Sequence, residues 1–127
     1  MTEPDSRRIA EALWAALTAA DWEGAGALMH EAYVQEWPQS GERIVGRENA
    51  LAINMNFPGG MPTATVRRVR SSGDIATVEV ELVYADGSRF QGVSILEVRD
   101  GKVAHETDYF AQAFTAPQWR AQWVERG

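Results

Sequence analysis

Two acidic side chains near the end of the sequence have the type and spacing needed for proton-transfer chemistry. Glu106 and Asp108 lie two positions apart in a strand predicted at residues 102–110, so both point to the same face, roughly 6 to 7 Å apart. If that face is enclosed, burial and like-charge repulsion raise the pKa of at least one carboxyl group toward the range useful for catalysis. We therefore predict Asp108 as the acid/base residue and Glu106 as the catalytic neighbour that perturbs it.

Two other arrangements would leave this acidic pair without a catalytic role. A strand register shifted by one residue would turn both acids to solvent, because successive strand residues point to opposite faces. Alternatively, an arginine such as Arg47 or Arg120 would neutralise them. Both alternatives stay open at the level of the sequence.

A second set of candidate site residues alternates along the strand predicted at residues 33–37. Tyr33, Gln35 and Trp37 share one face of this strand, where the aromatic rings would contact a flat ligand and Gln35 would orient it. A core position for Trp37 is the alternative, because large aromatic residues dominate core burial. Further candidates for the mouth of the same pocket are Trp14, Asn54, Asn56 and Phe57.

The other motifs predict neither a metal nor a cofactor. His30 has no second histidine three or four residues away, as a zinc motif would require, and the sequence contains no cysteine. His105 is adjacent to Glu106 but points to the other face of the strand, so we expect it to be structural. We expect a protein that works without a metal ion or cofactor.

Composition and charge limit the partners and the compartment. A chain of 127 residues suffices for one domain, which we predict to span 1–127 with a core at about 6–115. Twelve basic and eighteen acidic residues give a net charge of −6, which disfavours binding to nucleic acid or to an anionic membrane. The lack of cysteine and of any long apolar segment predicts a cytoplasmic protein.

Hydrophobic periodicity and turn signals predict the elements that must position these residues. Apolar residues at three- and four-residue spacing predict a helix behind Asp5 and Ser6, and Asp21 begins a second helix through Met29. A third helix covers residues 47–57, and a C-terminal helical tail at 117–126 carries Trp119 and Trp123. Six strands are predicted at 33–37, 42–45, 63–70, 75–84, 89–99 and 102–110.

Two Asp-Gly pairs, at 86–87 and 100–101, predict two-residue hairpin loops and thereby set the strand register. With these loops Val80 pairs with Val93, and Val93 lies opposite Asp108. The face expected to pack against helices consists of Val78, Val80, Leu82, Val93 and Ile95, with Gln91, Glu106 and Asp108 as polar members. Gln91 is therefore a further substrate-binding candidate. The opposite face includes Leu96, Val98 and Tyr109, which predicts a homodimer contact.

The order and spacing of several short segments resemble one protein superfamily. These segments are Asp21-Trp22-Glu23-Gly24, the strand ending in Trp37-Pro38, Gly46-Arg47-Glu48-Asn49-Ala50, and Asp100-Gly101-Lys102-Val103 leading to Asp108-Tyr109-Phe110. Over about residues 6–115 the chain resembles the nuclear-transport-factor-2-like (NTF2-like) proteins, specifically the SnoaL-like group with polyketide cyclases and relatives of ketosteroid isomerase. The resemblance implies a conical α+β fold, with three N-terminal helices packed in a strongly curved mixed or antiparallel sheet around an apolar pocket, usually in a homodimer.

The same resemblance narrows the set of candidate reactions. In ketosteroid isomerase the general base is an aspartate before the proline of the first strand, where this chain has Trp37, and the oxyanion donors match Leu13 and Val93 or Ser94. Steroid isomerisation is therefore not implied, and the Asp-Arg-Asp trio of limonene epoxide hydrolase relatives has no match on the pocket face. Polyketide cyclases need chiefly one pocket carboxylate, which Asp108 supplies. We predict a cofactor-independent cyclase or isomerase for an apolar or aromatic small molecule; the alternative is a non-catalytic ligand-binding or dimerisation module.

Overall fold

Three helices form in the first half of the chain, and aspartate side chains cap the first two. The computed structural model describes residues 5–126. Asp5 begins the first helix by accepting a hydrogen bond from the Arg8 amide, and Asp21 begins the second by accepting one from the Gly24 amide. None of the described helices is long and apolar enough to cross a membrane. The helices span Ser6–Thr18 (α1), Trp22–Ala27 (α2) and Arg47–Met55 (α3).

Six strands form one curved, unclosed sheet in the order β2-β1-β6-β5-β4-β3. β1 and β6 run parallel and the other neighbours antiparallel, so the sheet is mixed. The predicted α+β class, with N-terminal helices and a curved mixed sheet, is confirmed. The strands span Met29–Trp37 (β1), Glu42–Val45 (β2), Thr63–Ser72 (β3), Ile75–Val83 (β4), Arg89–Arg99 (β5) and Lys102–Gln112 (β6).

The second helix and the C-terminal tail differ from the prediction. The second helix was expected to continue through Met29, but Met29 begins β1 and pairs with Val103 of β6. Its side chain is buried there, so packing in the sheet outweighs the helical continuation. The C-terminal tail forms a single 3₁₀ helix, Gln118–Trp123, whose two tryptophans, Trp119 and Trp123, are 72% and 71% exposed.

The first Asp-Gly hairpin has a three-residue loop instead of the predicted two-residue loop. The Tyr84 amide donates to the Ser88 carbonyl at 2.9 Å, which leaves residues 85–87 as the loop, with Gly87 at φ +85°. This is the three-residue turn that ends in a left-handed glycine. As a result Val80 pairs with Gly92 and not with Val93, and every residue of β5 points to the face opposite to the one predicted.

The second Asp-Gly hairpin has the predicted two-residue loop, but a bulge follows it. Asp100 and Gly101 both have positive φ, at 54° and 76°. The register shifts by one residue between Glu97 and Val98, so Ser94 rather than Val93 lies opposite Asp108. The two one-residue differences cancel across β5, and Asp108 shares a face with Val80 as predicted.

The corrected register decides which residues of the sheet form the core. We call the face that carries Val78 and packs against α1 the inner face and the opposite one the outer face. Leu96 and Val98, predicted to be exposed, lie on the inner face and are 0% and 4% exposed. The residues on the outer face of β5 are instead Val93 and Ile95, both half-buried. The prediction that Leu96 and Val98 form a dimer contact is therefore wrong.

Candidate functional site

The inner face of the sheet, together with α1 and α3, surrounds a cavity of about 440 Å³. The rings of Phe57, Tyr84 and Phe90 pack in series, with centroid separations of 5.6 Å and 5.1 Å. A largely apolar wall with a few convergent polar groups is typical of sites for small organic molecules. Seven aromatic side chains contribute to the wall: Trp14, Tyr33, Trp37, Phe57, Tyr84, Phe90 and Phe110.

The parallel pairing of β1 with β6 places the two predicted acids beside three polar side chains of β1. Gln35 is in register with Glu106, so Tyr33, Gln35 and Trp37 follow the line of Glu106 and Asp108 on the inner face. Glu106 is 4% exposed and Asp108 is 3% exposed. Both acids are therefore buried at the cavity wall.

These five side chains form one continuous hydrogen-bond network. Tyr33 Oη lies 3.1 Å from Glu106 Oε1 and 3.1 Å from Gln35 Oε1. The Gln35 amide donates to Glu106 Oε2 at 3.2 Å and also to Asp108 Oδ2. Asp108 Oδ2 accepts a further hydrogen bond from Trp37 Nε1 at 3.1 Å. Gln35 therefore uses both of its amide hydrogens to hold the two carboxyl groups.

Burial and the neighbouring carboxyl group together shift the pKa of Glu106. Burial raises the pKa of Glu106 well above its ordinary value of 4.5, and the charge of Asp108 and a hydrogen bond to it raise this pKa further. The hydrogen bond from Tyr33 acts in the opposite direction. Asp108 accepts two N–H donors at one oxygen, which suits an ionised carboxylate. The raised pKa favours the protonated form of Glu106.

The same burial keeps Tyr33 a hydrogen-bond donor. Desolvation raises the pKa of the Tyr33 hydroxyl well above 10, and the charges of Glu106 and Asp108 raise it further. The hydroxyl therefore stays protonated at any physiological pH.

Two buried polar atoms at the cavity lack an ordinary hydrogen-bond partner within residues 5–126. Trp14 is 9% exposed, and its Nε1 donates to no acceptor. Asp108 Oδ1 has no hydrogen-bond partner among these residues. Because an unpaired buried donor costs free energy, Trp14 Nε1 marks a position where a bound molecule could present an acceptor.

Comparison with protein families assigns this fold and cavity to a known group. The model of the SnoaL-like domain matches residues 10–106. The chain belongs to the SnoaL-like domain family. Comparison with curated proteins gives no match.

Solved structures of similar proteins share the fold over almost the whole chain. An NTF2-like protein of unknown function from Burkholderia xenovorans is 39% identical, with a TM-score of 0.85 over 95% of this chain and 94% of that one. A Kribbella flavida protein with a provisional ketosteroid isomerase assignment is 37% identical, with a TM-score of 0.88 over 98% and 91%. An LEH-like epoxide hydrolase from M. tuberculosis is 23% identical, with a TM-score of 0.72 over 86% and 84%, and shares the fold.

The structure brings most of the predicted site residues to one cavity and places two elsewhere. Gln91 lies on the outer face, where its amide donates to Glu81 Oε2 at 3.2 Å, because β5 has the opposite orientation to the predicted one. Asn56 is exposed and donates to the Ala52 carbonyl. The residues that line the cavity as predicted are Trp14, Tyr33, Gln35, Trp37, Asn54, Phe57, Glu106 and Asp108.

Several cavity residues were not predicted from the sequence. Phe110 follows Asp108 by two positions on β6, and Tyr84 continues the inward-facing series of β4, so alternation alone would have identified both. Phe90 was not identified because the predicted register of β5 was wrong by one residue. Glu42 lies at the exposed start of β2, and no sequence signal distinguishes it from a solvated residue.

Neither arrangement that would disable the acidic pair occurs. Glu106 and Asp108 are buried, so a register that exposes them is excluded. Arg47 donates to the Met29 carbonyl at 3.1 Å, and Arg120 lies 5.7 Å from the ring centre of Trp119. These contacts direct both arginines away from the pair.

The two histidines lie outside the cavity. His105 contacts Glu36 and Glu97, with N···O distances of 2.9 Å to each carboxylate. His30 lies 3.3 Å from Asp100. In the part of the chain that the structure describes, no group of three His, Cys, Asp or Glu residues could hold a metal ion.

Proposed function

We propose that this SnoaL-like protein is a cofactor-independent acid/base enzyme that isomerises or cyclises an apolar or aromatic small molecule. The observation that supports this proposal best is the pair of buried carboxyl groups, joined by Gln35 at the wall of an aromatic cavity, in which burial raises the pKa of Glu106. Two interacting acids in different protonation states supply a general acid and a general base in one place. The provisional isomerase assignment of the Kribbella flavida relative fits the same class of chemistry.

The base in this proposal differs in position from that of ketosteroid isomerase. In this chain Trp37 stands where the isomerase has its aspartate, and its indole N–H donates to Asp108 of the neighbouring strand. The carboxylate is thus supplied by β6 in place of β1. Leu13, matched to an oxyanion donor, is buried in the core, whereas the adjacent Trp14 lines the cavity with a free N–H.

The proposed cycle moves one proton at each carboxyl group. Asp108 takes a proton from a carbon next to a carbonyl group, and the C–H electron pair passes into an enolate. Glu106 gives its proton to the oxygen that becomes negative, either on the enolate or on a second carbonyl that the enolate carbon attacks to close a ring. The proton then returns from Asp108 to the neighbouring carboxylate of Glu106, which resets the pair.

The alternative is a binding protein that uses the cavity without chemistry. It is favoured by the saturation of the network, since Tyr33, Gln35 and Trp37 already occupy three of the four carboxyl oxygens. A binder needs only shape and contact area, whereas an enzyme needs a proton that leaves the network.

Hydrogen–deuterium exchange distinguishes an acid/base enzyme from a binding protein without knowledge of the natural substrate. A panel of aromatic ketones is incubated with the protein in D₂O, and loss of the α-proton is followed by NMR. We expect exchange with wild type and a loss of roughly 10²- to 10⁴-fold in Asp108→Asn. Glu81→Gln, the same type of change on the outer face, is the matched control and should exchange normally. Ketones that bind to wild type without exchange would instead establish the binding protein.

We also propose that the protein is a homodimer through the outer face of the sheet. The apolar residues there are Val93, Ile95 and Tyr109, with Tyr109 43% exposed. In register, Val93 lies beside Tyr109 and Ile95 beside Thr107, so these side chains form one continuous patch.

A further inference from the structure

The charged side chains that line the cavity are all of one sign. Among residues 5–126, those lining the cavity include Glu42, Glu106 and Asp108 but no lysine, arginine or histidine. Glu42 lies in the exposed part of the lining, and the two other acids lie in the buried part. A ligand therefore meets carboxyl groups both at the mouth of the cavity and at its wall.

Among residues 5–126, no cationic side chain pairs with the two buried carboxyl groups. The ion pairs formed by the described residues involve other carboxylates, such as Glu79, Glu81 and Glu97. Neutral donors on Tyr33 and Gln35 stabilise the charge by hydrogen bonding but do not cancel it. A buried charge without a counter-ion costs free energy, and a positively charged ligand group would reduce this cost.

The aromatic part of the cavity wall also suits a positively charged ligand group. Aromatic faces attract cations electrostatically, and tryptophan does so most strongly. Trp37 connects the two features, because it lines the cavity and its indole N–H donates to Asp108. Trp14, nine-tenths buried with an unpaired Nε1, adds a position for an acceptor atom elsewhere on the ligand.

We propose that the ligand of this cavity is an organic cation: an ammonium group, tertiary or quaternary, attached to an apolar or aromatic body that also carries a hydrogen-bond acceptor. The ammonium group lies between the Glu106–Asp108 pair and the aromatic rings, and the apolar body fills the remainder of the 440 Å³ cavity. The inference rests on the proposed function only in taking this cavity as the ligand site. Carboxylate and phosphate ligands are excluded by the same charges.

The test uses three probes of nearly equal size and different charge. Benzyltrimethylammonium is the cation, neopentylbenzene is its neutral isostere, and 3-phenylpropionate is the anion. Binding to the full-length protein is measured by NMR titration at pH 7.5 and constant ionic strength. We expect the cation to bind about 10-fold or more tightly than the neutral isostere, and the anion to bind more weakly than both.

Two variants assign the preference to the proposed groups. Asp108→Asn should reduce the cation's advantage over the neutral isostere to less than about threefold, whereas Glu81→Gln on the outer face should leave it unchanged. Glu42→Gln, at an exposed position that does not endanger folding, should slow association of the cation alone. Equal or tighter binding of the neutral isostere to wild type overturns the inference, as does binding of none of the three probes.

Failure of this inference and failure of the proposed function give different results. If neutral ketones exchange their protons in an Asp108-dependent manner while cations are not preferred, the ligand class is wrong and the acid/base function stands. If cations are preferred but no probe ketone exchanges, the ligand class stands and the protein is a binder.

Discussion

At the scale of single residues, the site depends on the hydrogen bonds that Tyr33 and Gln35 donate to two carboxyl groups. Two ionised carboxyl groups this close would repel each other, and the raised pKa of Glu106 favours its protonated form. The donors from β1 hold both groups in fixed positions, as the proposed acid and base roles require. The two carboxyl groups therefore function as one unit and not as independent side chains.

The raised pKa of Glu106 makes a prediction about stability. Below pH 4.5 the folded and unfolded chains both bind this proton, and above it the unfolded chain loses the proton first. The stabilising contribution is thus complete at low pH and is lost as the pH rises toward the folded-state pKa. In Glu106→Gln this dependence disappears, so the free energy of unfolding of the variant minus that of wild type should rise with pH, by at most about 1.4 kcal/mol per pH unit.

Urea unfolding of both proteins between pH 4.5 and pH 8 measures this difference. Glu81 gives a control of opposite sign, because hydrogen bonds from Gln91 and Arg67 lower its pKa. Its stabilising contribution is complete above the ordinary value of 4.5 and is lost only on acidification below it, so the difference in stability between Glu81→Gln and wild type should stay nearly constant over most of the range up to pH 8. A difference for Glu106→Gln that does not change with pH would contradict the protonated state of Glu106.

At the scale of elements, the sequence predicts strand identity well and strand register poorly. The bounds of β2 and β5 agree with the prediction, because β-branched runs between turn residues mark a strand clearly. Register depends on one residue in a loop or a bulge, and neither the three-residue loop at 85–87 nor the bulge near Glu97 has an unambiguous signal. The prediction of Gln91 failed for this reason, whereas the positions of Glu106 and Asp108 survived because the two shifts cancel.

Gly92 shows how closely the corrected register packs β5 against its neighbours. A Cβ atom there would lie 2.6 Å from Phe110 Cδ1 and 3.2 Å from Val80 Cγ2. Gly92→Ala should therefore displace the Phe110 ring, which lines the cavity, and destabilise the protein by about 1 to 3 kcal/mol. Urea unfolding measures the loss, and a crystal structure of the variant should show the moved ring.

Ser94→Ala on the same strand is the matched comparison. The Ser94 hydroxyl is fully buried without a partner, so its removal should be neutral or stabilising. Equal losses in the Gly92 and Ser94 variants would mean that the close approach of Phe110 is not the cause.

At the scale of the whole molecule, the two faces of the sheet differ in composition and surroundings. The inner face is closed by helices and holds the acids, whereas the outer face combines an apolar patch with the Arg67–Glu81 and Arg68–Glu79 ion pairs. Such a mixture of apolar centre and polar surroundings is usual for a protein interface. Assembly through the outer face would leave the mouth of the cavity free.

Light scattering tests the proposed homodimer. We expect a mass of about 28 kDa at micromolar concentration, twice the 14.1 kDa of the chain. Tyr109→Glu places a charge in the middle of the patch and should give a species of about 14 kDa with an unchanged circular dichroism spectrum. A wild-type protein that scatters as a monomer would disprove the dimer.

The parallel pairing of β1 with β6 has a consequence for how the protein folds. Gln35 and Glu106 are 71 positions apart, whereas each of the other pairings of the long strands closes a hairpin between neighbours in the sequence. Closing so long a loop is slow, so the two halves of the carboxyl network meet late, after the local hairpins have formed. A ligand of the site has nothing to bind before that step. It therefore prolongs the lifetime of the folded state by slowing unfolding and leaves the rate of folding unchanged.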